Sequence, residues 1–189
     1  KYGFHGTSYK YVSEEAARRL NKPRPNLIVL HLGSGASMCC IKGGESCDTT
    51  MGLSPLEGLV MGTRSGDLDP GVFSFLNANG YDSAQIDTML NKQSGLLGLS
   101  NNLSNDMRAI KEAAVSGNAD AKLARDVFVE RIRKYLGSYI VKLGGDCDAV
   151  VFTGGIGEND IELREAVLDG LDSLGIVVDS QKNAVCEVK

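Results

Sequence analysis

A glycine-rich turn directly after a short apolar run constrains this chain more than any other stretch. The run 27–30 (LIVL) is unbroken, and the turn 31–37 (HLGSGAS) follows it at once. An unbroken apolar run favours a strand covered on both faces, because a strand with one exposed face would alternate. Glycines let backbone N–H groups converge on an anion, and the serines add hydroxyl donors. The pattern favours a phosphate-binding turn, with a tight structural turn as the alternative.

This turn has neither the spacing of a P-loop nor that of a dinucleotide-binding fold, but a second glycine-rich segment supports it. The run 149–152 (AVVF) predicts another covered strand, the loop 153–159 (TGGIGEN) follows, and a helix is expected from about Asp160 to Leu174. A strand, a glycine loop and a helix in succession bring a ligand onto backbone N–H groups at the carboxyl end of a sheet. Together the two segments indicate a split nucleotide-binding site.

Periodicity predicts a helix and two more strands in the first third of the chain. Thr7 or Ser8 is placed to cap a helix that ends near Leu20. Strands are expected over 38–41 and 45–50, joined by a glycine hairpin turn. With the run 27–30 they make an antiparallel meander that has the glycine-rich turn at its first corner.

A block of helices is expected between the two strand regions. Asp69 with Pro70 opens a short helix to about Leu76, and Asn118 caps the longest helix, which reaches about residue 143. Helices over 82–91 and 107–114, a loop over 93–106 and a last strand at 176–178 complete the prediction. The longest helix has one apolar face, formed by Leu123, Val127, Phe128, Ile132, Tyr135, Leu136, Tyr139 and Leu143.

The segment 51–70 is rich in glycine and turn-forming residues, and Arg64 lies near its centre. A loop of this length without periodicity is usually functional or disordered, and its Met and Leu content argues against disorder. We therefore expect a functional loop.

Composition excludes several classes of function. The net charge of −4 and the absence of any Lys or Arg run argue against nucleic acid and anionic membranes as partners. No apolar run approaches the roughly 18 residues that span a bilayer. The five cysteines form no C-x-x-C pair, so we expect reduced, buried thiols in a cytoplasmic protein. The start at Lys1 indicates that the chain was cut from something longer.

Five segments carry the most specific signal in the chain. They are 2–8 (YGFHGTS), 31–37 (HLGSGAS), 49–71 (TTMGLSPLEGLVMGTRSGDLDPG), 104–108 (SNDMR) and 152–159 (FTGGIGEN). In this order, over nearly the whole chain, they resemble the acetate kinase family. The resemblance implies a ribonuclease H-like α/β lobe, as in sugar kinases, Hsp70 and actin, where two lobes enclose ATP. Residues 1–189 would then form a single C-terminal lobe, truncated at both ends, with a helical insertion over about 70–145.

The resemblance also implies reversible phosphoryl transfer from ATP to acetate, which gives acetyl phosphate and ADP. His5 matches the family histidine that contacts the transferring phosphoryl group, and Arg64 matches its partner arginine. A metaphosphate-like transition state spreads negative charge over its equatorial oxygens, so positioned donors and a permanently charged guanidinium fit this chemistry. The alternatives are a surface arginine and a hydrogen-bonded structural histidine.

Three groups of residues match the family's nucleotide contacts. The candidates are His31, Leu32, Gly33, Ser34 and Gly35 in the phosphate loop, Asp106, Met107 and Arg108 near the nucleotide, and Gly155, Ile156, Gly157, Glu158 and Asn159 in the adenosine loop. A structural role is the alternative for His31. For Asp106 the alternative is a helix cap with an exposed arginine beside it.

The chain departs from the family pattern at two positions. Ser34 stands where most relatives have Asn, which would shorten a phosphate contact or require a bridging water. Tyr9 stands where many have a second histidine, which suggests that this position is not essential. The Mg²⁺ that the resemblance implies would find its ligands mainly outside this chain, so no metal ligand is assigned.

Other interpretations remain open at the level of sequence. Propionate kinases share these motifs, and the chain by itself could be a nucleotide-binding or dimerisation module without turnover. The resemblance implies a homodimer through this lobe, with the apolar face of the 118–143 helix as core or interface. We expect the isolated chain to be inactive, because groups needed for catalysis lie elsewhere.

Overall fold

The computed structural model describes residues 3–185. Their contacts define two compact units. The first comprises the described residues up to 33, 37–50 and those from 129 onward. The second comprises 34–36 and 51–128. The prediction of one lobe with an insertion over about 70–145 stays a prediction.

A four-stranded mixed sheet organises the first unit. Its strands are β1 (Leu27–Leu32), β2 (Ala36–Lys42), β3 (Glu45–Thr49) and β4 (Ala149–Thr153), in the order β3-β2-β1-β4. Strand β4 pairs with β1 in parallel, and β2 pairs with β3 antiparallel. The predicted meander and the fully covered first strand are confirmed, since Leu27 to Leu30 are wholly buried. Apolar side chains of β1 and β2 pack against Tyr9 and Ala16 of the first helix.

Nine α-helices are described within residues 3–185. They are α1 (Gly6–Arg19), α2 (Gly71–Ala78), α3 (Ser83–Lys92), α4 (Gly95–Leu99), α5 (Met107–Val115), α6 (Ala119–Lys142), α7 (Gly154–Asn159), α8 (Ile161–Leu168) and α9 (Ser180–Ala184). A short 3-10 helix, Asp172–Leu174, lies between α8 and α9. In this described part of the chain, none of the helices combines the length and the apolar character needed to cross a bilayer.

Capping side chains explain several helix starts. Asn118 accepts from the Ala121 N–H at 2.9 Å, so the predicted cap of α6 is confirmed. Asp106 accepts from the Arg108 N–H, which is the alternative given for it above. The Asp69 carboxylate accepts from the Gly71 N–H at 2.8 Å. The predicted cap of the first helix is wrong. His5, not Thr7 or Ser8, holds the N-cap position of α1.

Helix α6 is mainly a core element. Phe128, Ile132, Leu136, Tyr139 and Leu143, which were predicted to share its apolar face, are all buried within the chain. The alternative of an interface on this face is therefore wrong for these five. Of the other three, Leu123 is 52% exposed, and Val127 and Tyr135 are half-buried.

Five local predictions are wrong. Helix α4 lies inside the predicted loop 93–106, and α7 replaces the predicted glycine loop. The helix expected to reach Leu174 ends at Leu168, and the structure describes 176–178 outside any helix or strand. Cys47 is exposed rather than buried, and Cys186 lies outside the described residues.

Candidate functional site

The two glycine-rich segments follow the adjacent carboxyl ends of parallel strands. In the β1–β4 register His31 lies opposite Thr153, so Gly33 and Gly154 each follow a neighbouring strand end. Gly154 has φ +80°, and a Cβ at this position would lie 2.6 Å from the Leu32 carbonyl oxygen. Any side chain there would collide with the backbone of β1. The end of β1 and the start of the segment after β4 therefore lie too close for a side chain at position 154.

The predicted adenosine segment is helical. Gly155, Ile156, Gly157, Glu158 and Asn159 all belong to α7, which starts directly after β4. The Glu158 carboxylate turns back to accept from the Thr153 hydroxyl at 3.1 Å and from the Gly154 N–H at 3.2 Å. An anion could reach that N–H only by displacing the carboxylate. The Gly155 face is open, since a Cβ there would meet nothing within 4 Å.

Arg164 of α8 fixes the end of α7, a role that sequence analysis missed. Its guanidinium donates to the carbonyl oxygens of Gly157 at 3.0 Å and Glu158 at 2.7 Å. The same group donates to the side chain and the carbonyl of Asn183, at 2.6 and 2.8 Å. Four hydrogen bonds from one guanidinium tie α7 to α9. The sequence feature that could have indicated this role is an arginine in the predicted helix that follows the loop 153–159.

Two histidines stack at the carboxyl end of β1. The imidazole rings of His5 and His31 lie 4.0 Å apart, with 17° between their planes. His5 Nδ1 lies 2.8 Å from the Ser37 hydroxyl, and His31 Nδ1 lies 2.9 Å from the Ser8 hydroxyl. Burial lowers the pKa of His31, while the charge of Glu158 opposes that shift. Burial therefore favours the uncharged form of His31.

In the second unit, three segments of predicted site residues meet. The Gly62 N–H donates to the Ser34 carbonyl at 3.0 Å. A Cβ at Gly62 would lie 3.0 Å from the carbonyl oxygen of Asn105 and 3.3 Å from that of Ser34. The main chains of three segments therefore pack against one another. These are residues 34–36 of the glycine-rich turn, the loop that carries Arg64, and the segment before α5.

Arg64 is half-buried rather than a surface arginine. Its guanidinium donates to the Pro55 carbonyl at 2.6 Å. Burial lowers the pKa of Arg64, although a guanidinium keeps its charge at any working pH. The guanidinium is thus a partly desolvated cation whose position is fixed by the Pro55 carbonyl.

The structural alternative is observed for Asp106. Its carboxylate caps α5 and pairs with the Arg108 guanidinium at 2.8 Å. The hydrogen bonds from the Arg108 side chain and backbone lower the pKa of Asp106 to about 2. Arg108 is 88% exposed, whereas the Met107 side chain is buried.

The carboxylates near α7 accept hydrogen bonds from nearby groups of the protein. Glu158 is bonded to the start of α7, and Asp160 caps α8 through the Leu163 N–H at 3.1 Å. In the part of the chain that the structure describes, no three His, Cys, Asp or Glu side chains are grouped to hold a metal ion. Mg²⁺ in kinases binds few carboxylates and the substrate's phosphates.

A mixed sheet in which two parallel strands end side by side in glycine-rich segments is typical of an α/β protein that binds a ligand at its strand ends. The model of the acetokinase family matches residues 1–189. The chain belongs to the acetokinase family, as its motifs predicted.

Individual relatives agree with this assignment. The chain is 56% identical to the acetate kinase of Brachyspira hyodysenteriae, over 97% of the chain and 46% of that protein. The crystal structure of Porphyromonas gingivalis acetate kinase matches with a TM-score of 0.92 and 47% identity, over 97% of this chain and 46% of that one. A Francisella tularensis propionate kinase structure matches with a TM-score of 0.91 and 49% identity, over 97% and 47%. The chain thus spans just under half the length of these relatives.

Proposed function

We propose that this chain is the nucleotide-binding part of a kinase that reversibly transfers a phosphoryl group between ATP and acetate, giving acetyl phosphate and ADP. The supporting observation is the pair of glycine-rich segments at adjacent parallel strand ends, in a chain that belongs to the acetokinase family. Ligands of α/β sheets bind outside the carboxyl ends of strands. The adenine nucleotide would bind there, near the open face of Gly155.

In this proposal His5 and Arg64 stabilise the transition state. The phosphoryl group in transfer resembles metaphosphate, so catalysis requires positioned donors and positive charge more than covalent chemistry. The imidazole of His5 is oriented by Ser37 and by stacking on His31. The guanidinium of Arg64 is held by Pro55 and partly desolvated, which strengthens its interaction with an anion. Mg²⁺, when bound with the nucleotide, would neutralise phosphate charge.

Three further features belong to the same proposal. The chain would form a C-terminal lobe, the protein would act in the cytoplasm, and it would be a homodimer. Since the apolar face of α6 is largely internal, the dimer would use another surface of this lobe. Val72, Phe73 and Phe75 of α2 are exposed apolar side chains that could serve there.

Propionate is the second candidate acceptor. The Francisella tularensis propionate kinase structure is as similar to this chain as the Porphyromonas gingivalis acetate kinase is. The choice of acyl chain would be made partly outside this chain. The alternative from a different class of function is that this chain binds nucleotide without catalysing a reaction.

The test is steady-state kinetics of the full-length protein with acetate and propionate, and with ATP and pyrophosphate. Arg64→Ala should lower kcat by about 10³-fold or more, because it removes charge stabilisation that arises in the transition state. His5→Ala should also lower kcat, and KM for ATP should change little in both variants. Arg18→Ala, an exposed arginine on α1, is the control and should behave as wild type. Equal losses in kcat and in nucleotide affinity would remove His5 and Arg64 from the transition state.

A further inference from the structure

A buried hydrogen-bond chain leads from Tyr9 to His5. The Tyr9 hydroxyl is in short contact with Ser37 Oγ, and Ser37 Oγ lies 2.8 Å from His5 Nδ1. Ser37 is fully buried, and Tyr9 is only 6% exposed. The three side chains are therefore connected in a region where an unpaired polar hydrogen is costly.

Counting the hydroxyl hydrogens shows which group donates in each of these two hydrogen bonds. Tyr9 and Ser37 each have one hydroxyl hydrogen. Within residues 3–185, Ser37 Oγ is the partner of the Tyr9 hydroxyl, so Tyr9 donates to Ser37. Burial raises the pKa of Tyr9, which keeps its proton in place. Ser37 then donates its own hydrogen to the remaining partner, His5 Nδ1.

The opposite direction carries a penalty. If His5 Nδ1 donated to Ser37, Ser37 would donate to the Tyr9 oxygen. The Tyr9 hydrogen would then lie buried without an acceptor among the described residues. Leaving a buried donor unsatisfied is among the larger penalties that a single polar group can cause.

We propose that Tyr9 and Ser37 are positioning residues that hold His5 as the tautomer with its proton on Nε2. An imidazole that accepts at Nδ1 carries its hydrogen on Nε2, so His5 offers a donor through that nitrogen. Its catalytic meaning rests on the proposed function, in which that donor meets a phosphoryl oxygen. The tautomer itself does not depend on that function.

This inference gives Tyr9 a role that the sequence did not indicate. The substitution of the family's second histidine suggested that the position is not essential. In the structure, Tyr9 is linked to His5 through Ser37. Its hydroxyl hydrogen determines the direction of both hydrogen bonds. Stacking on His31, itself bonded to Ser8, fixes the plane of the same ring.

The first test is solid-state ¹⁵N NMR of the full-length protein labelled at histidine. The signals of His5 are assigned by their loss in His5→Asn. In the wild type we expect a protonated Nε2 and an unprotonated Nδ1. Tyr9→Phe should give a mixture of tautomers, whereas Tyr11→Phe, which alters a tyrosine 70% exposed on the same helix, should leave the spectrum unchanged. A proton on Nδ1 in the wild type overturns the proposal without any variant, as does a Tyr9→Phe spectrum identical to wild type.

The second test is kinetic. Tyr9→Phe should lower kcat about tenfold with little change in KM for ATP, because the donor is misplaced for part of the time. Tyr11→Phe again serves as the control. A protein that forms no acyl phosphate but shows the Tyr9-dependent tautomer would contradict the proposed function and leave this inference intact. An active protein whose His5 tautomer does not depend on Tyr9 would contradict this inference and leave the proposed function intact.

Discussion

His5 holds an unusual backbone conformation. Its φ of 58° and ψ of 23° place it in the left-handed region, which non-glycine residues enter at a cost of about 1–2 kcal/mol. Such strain persists where surrounding contacts over-determine it, and it clusters at functional sites. Here the hydrogen bond to Ser37 and the stacked His31 ring hold the side chain. The backbone of His5 thus serves the placement of its imidazole.

A pair of substitutions at His5 separates backbone strain from side-chain loss. Both His5→Gly and His5→Ala remove the imidazole, but only glycine is free of the left-handed penalty. We expect His5→Gly to exceed His5→Ala in free energy of unfolding by about 1 kcal/mol. Urea denaturation measures the difference.

The control is the same pair at Lys10, an exposed position in α1. There the backbone is helical, so glycine should be the less stable variant, by about 1 kcal/mol. If His5→Ala proved as stable as His5→Gly, the left-handed strain would not contribute to stability.

Individual candidate residues were easier to name from the sequence than the residues that contact them. Motif matches named His5, His31 and Arg64, because glycine-rich segments flank each of them. The partners of these residues come from distant positions: Ser37 lies 32 residues from His5, and Ser8 lies 23 from His31. No local pattern encodes such pairs. The hydrogen-bonded link from Tyr9 through Ser37 to His5 was missed for the same reason.

At the level of elements, caps and apolar stripes were predictable and glycine-rich helices were not. Asp106 and Asn118 were found because capping depends on a few adjacent residues. Helix α7 was missed because three of its six residues are glycine, which disfavours a helix. Glu158 at its start and Arg164 at its end supply the missing stability. The apolar run 176–178 has β propensity, but strand pairing is decided by tertiary context.

Arg164 should govern the order of α7. Arg164→Gln removes charge-assisted hydrogen bonds to Gly157, Glu158 and Asn183, so the free energy of unfolding should fall by about 1–2 kcal/mol. The α7 amides should also exchange faster with deuterium, because the helix would open locally. Mass-spectrometric hydrogen exchange and urea unfolding measure the two effects.

Lys182→Gln is the matched control for this change. Lys182 lies in α9 and is 87% exposed in its ion pair with Asp179, so its loss should alter neither measurement appreciably. Unchanged α7 exchange in Arg164→Gln would show that Glu158 alone orders the helix.

At the scale of the whole molecule, the sequence revealed the family but not the division of the contacts. The motifs occur in the family's order, and the family assignment is confirmed. The boundary at 128 lies inside helix α6, where neither periodicity nor composition marks it. Compactness depends on which distant segments meet, and a single sequence does not show this.

The 189-residue chain should not form acyl phosphate by itself. It spans 46% of the Brachyspira hyodysenteriae acetate kinase, and catalysis by positioning fails when some of the groups that orient the reactants are absent. With ATP, Mg²⁺ and acetate, the purified chain should give no more hydroxylamine-trapped product than a sample without protein, while the full-length protein turns over under the same conditions. Product above that background would mean that His5, Arg64 and the glycine-rich segments suffice for transfer, and the missing half would then serve only to choose or hold the acid.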